Sequence, residues 1–73
     1  MTSDAEEHRI TCRLDEILQQ RQMTLAELSR RVNISVVNLS VLKNNRARAI
    51  RFTTLTALCD ELACTPGELF VVE

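Results

Sequence analysis

From Leu14 onward, apolar residues recur at helical spacing. Leu14, Ile17, Leu18 and Met23 fall on one side, with Asp15, Glu16, Gln19 and Gln20 on the other, so the pattern predicts a first helix over 14–22. Asp15 and Glu16 in its first turn and Arg21 in its last are placed as the helix dipole prefers. Ahead of it, residues 9–13 alternate polar and apolar, with Ile10 and Cys12 on one side, as a short strand or an extended lead-in would. Thr24-Leu25-Ala26-Glu27 has the form of a capping box and opens a second helix over 25–31, carried by Leu25, Leu28 and Val32. Glu27 and Arg31 stand four apart in the favourable order for an ion pair. Asn33 tolerates the left-handed backbone that ends a helix, and Ser35 is a good N-cap for the next. The third helix is predicted over 36–43, with Leu39 and Leu42 inward and Asn44 and Asn45 ending it.

Residues 46–52 read as an extended basic connection, with Ile50 and Phe52 entering the core. Thr53 is the expected cap of a fourth helix over 54–63, whose apolar face is Leu55, Leu58, Cys59 and Leu62. Thr65-Pro66-Gly67-Glu68 is a second capping box with Pro at the first helical position, giving a one-turn helix that ends near Leu69. Residues 70–73 read as a strand that could pair with 9–13 in the same chain or across a dimer. Residues 1–8 are polar, acidic and without period, and are expected to be a disordered leader to a domain over 9–73.

Composition narrows the class. With one Gly, one Pro and two Phe there is too little turn chemistry for a β-sandwich or barrel. The expectation is an all-α fold of five helices, with room for short terminal β-strands. At 73 residues the chain is one domain, and a chain this short buries only roughly 60% of its unfolded surface, too little for a deep enclosed pocket. No apolar run approaches the ~18–20 residues of a membrane helix, and no secretory signal opens the chain, so the expected compartment is the cytoplasm with no membrane partner. Cys12, Cys59 and Cys64 are odd in number and lack a Cys-x-x-Cys pair, so they read as reduced structural thiols. His8 is the only histidine and reads as a solvated tail residue, so no metal site is expected. There is no nucleophile–base pair, no ligand cluster and no Gly-rich phosphate loop; an enzyme, a cofactor and a small-molecule ligand are not expected.

Charge changes the picture. The net charge is −1, yet residues 21–51 hold Arg21, Arg30, Arg31, Lys43, Arg46, Arg48 and Arg51 against Glu27, a net of +6. The flanks are acidic, at −3 over residues 1–20 and −4 over 52–73. Phosphate binding depends on local cation density, so the middle block argues for nucleic acid although the isoelectric point is about 5.8.

The basic block contains two short helices with a tight break, from Thr24 to Asn45. Small Ser29 permits a close crossing, Asn33 supplies the turn, and Ile34, Leu39 and Leu42 bury the partner helix, leaving one face of the third helix for a groove. With Met23-Thr24-x-x-Glu27-Leu28, Ile34-Ser35, Leu39-Ser40-x-Leu42, Ala49-Ile50-Arg51-Phe52 and Cys64-x-Pro66-Gly67-Glu68-Leu69, the chain resembles the Cro/repressor-type (Xre-like) helix-turn-helix family over about residues 10–70. It looks most like its small single-domain bacterial branch. The resemblance implies a compact five-helix lambda-repressor-like domain that binds double-stranded operator DNA as a homodimer and regulates transcription.

The same resemblance implies the site residues. Positions that face bases in relatives fall on Val36, Val37 and Val41, with Asn38 and Ser40 as polar candidates. Valine cannot hydrogen-bond a base edge but can pack on a thymine methyl, while Asn suits adenine if Asn38 faces the groove and does not sit on the helix flank. Thr24, Leu25 through its backbone amide, Ser35, Lys43, Asn44, Asn45, Arg46 and Arg48 lie where relatives grip phosphates. Leu25 stands where many relatives carry Gln, and Asn33 where many carry Gly. Arg21, Arg30, Arg31 and Arg51 either extend the basic surface or form structural pairs. The competing reading is a protein-interaction module of antitoxin or anti-repressor type, using the exposed face of Val36, Val37 and Val41.

Overall fold

The computed structural model describes residues 8–73. Of the expected leader, residues 1–7 lie outside them. The elements run β1 (Ile10–Cys12), α1 (Leu14–Arg21), α2 (Leu25–Val32), α3 (Val36–Lys43), α4 (Phe52–Leu62), α5 (Pro66–Leu69) and β2 (Phe70–Val72). Among the described residues the fold is mainly helical, five helices with one small sheet. Among the described residues no helix is long and apolar enough to cross a membrane.

The core is almost entirely leucine. Leu14, Ile17 and Leu18 of α1, Leu28 of α2, Leu39 and Leu42 of α3, Leu58 and Leu62 of α4, and Leu69 of α5 are buried together. Every helix therefore contributes its apolar stripe to one cluster, and α3 is held from behind by two of these side chains. Met23, Val32, Ile34 and Ile50 pack half-buried around it.

The two strands pair antiparallel within the chain, Ile10 opposite Val72 and Cys12 opposite Phe70. The intrachain alternative for these segments is thus the one the fold adopts. Cys12 and Phe70 pack on the core, whereas Ile10 and Val72, one register step further out on the same face, are 38% and 63% exposed.

Three local details differ from the sequence pattern. α1 stops at Arg21, because Gln22 turns left-handed (φ 55°) and sends its amide back to α1 carbonyls; Met23 follows in the connection. α4 starts at Phe52 with Arg51 as its extended N-cap, so Thr53 lies inside the first turn. Phe52 consequently projects from the first turn of α4 and is 83% exposed, while Ile50 alone of the pair reaches the core. At α2, Thr24 Oγ1 accepts from the Glu27 amide, but the Glu27 carboxylate turns to Arg31. The reciprocal box forms in full at α5, between Thr65 and Glu68.

Candidate nucleic-acid interface

The break between α2 and α3 is built from three residues. Asn33 sits in the left-handed region (φ 59°), with its amide returning to the Ser29 carbonyl. The Ile34 amide reaches the same carbonyl at 3.3 Å, and the Ser29 hydroxyl donates to Ile34 O at 2.5 Å. Ser35 then caps α3 by accepting from the Asn38 amide at 3.1 Å. Ser29 thus acts as a staple across the turn as well as a small crossing residue. Ser29→Ala should leave the Ile34 carbonyl without that donor and cost about 1 kcal/mol, read as a lower urea midpoint with an unchanged slope.

With Leu39 and Leu42 turned inward, the 100° step per residue puts Val37, Ser40, Val41 and Asn44 on the opposite side of α3. Val36 and Asn38 stand on its flanks. Val37 is 71% exposed, Val36 and Asn38 are exposed, and Ser40 and Val41 are half-buried. The Asn44 amide group donates to Ser40 Oγ at 3.1 Å, fixing the hydroxyl as acceptor on that side and leaving its proton for a further partner.

The residues expected to meet phosphates lie at the starts of α2 and α3 and at the end of α3 with the loop after it. Thr24 and Ser35 head α2 and α3, whose first amides, Leu25 among them, point out of the helix ends. The Leu25 side chain itself packs on the core, so only its backbone faces outward. After α3 the chain folds back on the helix end: the Asn44, Asn45 and Arg46 amides donate to Ser40, Leu42 and Val41 carbonyls at 2.9–3.1 Å. Lys43 is half-buried at the last turn, while Arg46 and Arg48 are exposed in the loop. Asn45, left-handed at φ 61°, accepts the Cys12 amide on its Oδ1 at 2.7 Å. Its oxygen is thereby committed to β1, and only its Nδ2 is left to face a phosphate.

Arg31 and Arg21 of the basic block serve the fold. Arg31 bridges Glu61 at 2.9 Å and Glu27 at 2.6 Å, tying α2 to α4. The hydrogen bonds to Glu61 and then Glu27 raise its already high pKa. Arg21 donates to the Leu62 and Ala63 carbonyls, at 2.8 and 3.2 Å. There it closes the end of α4, where Ala63 is left-handed at φ 53°. His8, expected to be a solvated tail residue, is exposed but held: Nδ1 accepts from the Ile10 amide and Nε2 donates to Ala47 O, both at 3.0 Å. Those partners require the tautomer with its proton on Nε2. No local pattern marks His8, because its second partner lies 39 residues away.

Cys12 and Cys64 are poorly suited to act as nucleophiles. Burial pushes the Cys12 pKa up, and burial together with neighbouring Cys59 takes Cys64 up to about 11, so both stay protonated at neutral pH. Among the described residues no group of three or more His, Cys, Asp or Glu could hold a metal ion.

Residues 13–73 match the family model for the Cro/C1-type HTH DNA-binding domain. The chain belongs to this family. As an HTH domain it is 48% identical over 60 residues to the uncharacterized HTH-type transcriptional regulator YozG of Bacillus subtilis (strain 168), covering 82% of this chain and 71% of that one. It also superposes on the crystal structure of the transcriptional regulator VanUg with a TM-score of 0.72, at 27% identity and 92% coverage of both chains. The matched span begins at Arg13 and so takes in all five helices and β2 of the HTH domain.

Proposed function

We propose that this HTH domain is a sequence-specific transcriptional regulator of the cytoplasm, a binding protein and not an enzyme. α3 lies in the major groove and two copies occupy a near-palindromic site. The observation that carries this reading is the exposed face of α3 set between two kinds of phosphate-binding groups, the open N-termini of α2 and α3 and the loop with Lys43, Arg46 and Arg48. Phosphate contacts fix the register of the helix, and side chains on its outer face then read bases. Val37 and Val41 pack on thymine methyls, Ser40 donates its free proton to a base acceptor, and Asn38, from the flank, reaches a base edge or sugar.

The second copy is supported by the sheet. The outward amides of β1, at Ile10 and Cys12, are taken by His8 and Asn45, so the open edge is that of β2, and Ile10 and Val72 continue the core face outward as an exposed apolar pair. Dimerisation there would set two α3 helices on half-sites about one helical turn, roughly 34 Å, apart.

Selection from a random duplex pool at two salt concentrations tests the reading. The expected result is an enriched palindrome rich in T steps, bound less tightly at higher salt, with a sedimenting dimer at working concentration. Salt-sensitive binding without an enriched sequence would make the protein a non-specific binder. No binding at low salt would overturn the DNA reading in favour of a protein partner for Val36, Val37 and Val41.

A further inference from the structure

Between the terminal strands and the loop after α3 the surface opens into a cleft of about 600 Å³. Its lining includes His8, Arg9, Asn45, Arg46 and Arg48, with Glu73 the single carboxylate side chain among the lining residues. Three guanidinium groups thus come from two parts of the chain that sequence spacing does not connect. The cleft walls are fixed to one another. His8 donates to Ala47 O, and Asn45 accepts from the Cys12 amide, so β1 and the residue ahead of it hold the loop at two points. Arg9 donates through Nη1 to the Glu73 carbonyl at 3.0 Å, and the Glu73 amide donates back to Arg9 O at 2.7 Å. The side-chain contact uses one of the five N–H donors of a guanidinium and anchors the group at the cleft wall.

We infer that this cleft seats a phosphate group, with Arg9 as a ligand beside Arg46. A planar guanidinium fork matches the oxygens of a phosphate, and a concave site with several such forks concentrates positive potential. Asn45, Arg46 and Arg48 belong at once to the cleft and to the loop that flanks α3, so the site is continuous with the interface proposed above. One source of the phosphate is the backbone of the bound duplex, and to that extent the inference rests on the DNA reading; the other is a free phosphorylated small molecule. His8 acts as a positioning residue, holding Ala47 and therefore the arginines on either side of it. The Glu73 carboxylate works against the anion.

Arg9→Ala and Glu73→Gln in the full chain test the site, since they shift its charge in opposite directions. Melting temperatures are compared first. Duplex binding is then measured across a salt series, and binding of inorganic triphosphate is followed by phosphorus NMR without DNA. If the duplex supplies the phosphate, Arg9→Ala lowers the slope of log affinity against log salt by about one, and Glu73→Gln tightens binding by about threefold. If a free phosphate is the ligand, duplex binding is the same in all three proteins, and wild type broadens the triphosphate signal while Arg9→Ala does not. Unchanged duplex binding together with no triphosphate binding overturns the site while leaving the DNA reading intact. Triphosphate binding by a protein that ignores duplex DNA at low salt removes the DNA reading and keeps the site.

Discussion

Replacing Lys43, Arg46 and Arg48 together by alanine should weaken duplex binding by about 100-fold near 0.1 M salt. The three side chains sit at the last turn of α3 and in the loop behind it, and Arg46 and Arg48 are exposed. Each phosphate contact releases condensed counterions, so losing three should lower the salt slope by about 2.7. The slope is the decisive reading, because a variant that merely misplaced α3 would lose sequence preference and keep most of its salt dependence. Binding titrations at four or more salt concentrations give both numbers. A variant with the wild-type slope would show that these cations do not meet the backbone. The expected loss is in affinity for all sequences, since phosphate contacts carry no base information.

Leu39→Ala should be among the most damaging single changes to stability. Leu39 is wholly buried in the leucine cluster and belongs to the helix that faces the groove. Truncating a buried leucine costs about 2–5 kcal/mol, and a domain of this size has on the order of 4–11 kcal/mol in total. Urea unfolding should show a midpoint lowered by roughly a fifth or more. Val37→Ala is the matched control on the other side of the same helix. Its exposure predicts a stability change within about 0.5 kcal/mol, so any loss of DNA preference there reports contact with the duplex. A Leu39→Ala protein as stable as wild type would mean that α3 is not held by the core in the way described.

Most of the helical frame was legible because its signals are local. The caps Thr24, Ser35 and Thr65 each accept from an amide three residues on, a relation that sequence spacing displays directly. Asn33 likewise announces the left-handed turn by its residue type. The start of α4 was less legible because Arg51 caps it by backbone conformation alone, while Thr53 has the side chain that ordinarily marks a cap. Phe52 shows a second limit: apolar character predicts burial only where a neighbour exists to bury it. The roles of Arg21, Arg31, Asn45 and His8 depend on partners 30–42 residues away, so the basic block could not be divided from sequence into surface and structural cations. The same holds for the cleft. Arg9 and Arg46 look unrelated until β1 is paired with β2 and docked on the loop.

The pairing of β1 with β2 also fixes the order in which the molecule can assemble. Helices α2 and α3, and α4 and α5, meet as neighbours in sequence, and α1 and α2 also pack on α4, whereas the sheet joins Arg9 to Glu73, 64 residues apart. Closing so long a loop costs chain entropy that pre-assembled helices help to offset, so the sheet is expected to form late and open early. Asn45 and Ala47 take hydrogen bonds from β1 and from His8 just before it. The loop that carries Arg46 and Arg48 therefore acquires its final shape in the last step of folding, after the leucine core has already set α3 in place. A molecule opened at its ends would keep the turn and the recognition helix yet lack an ordered grip beside them.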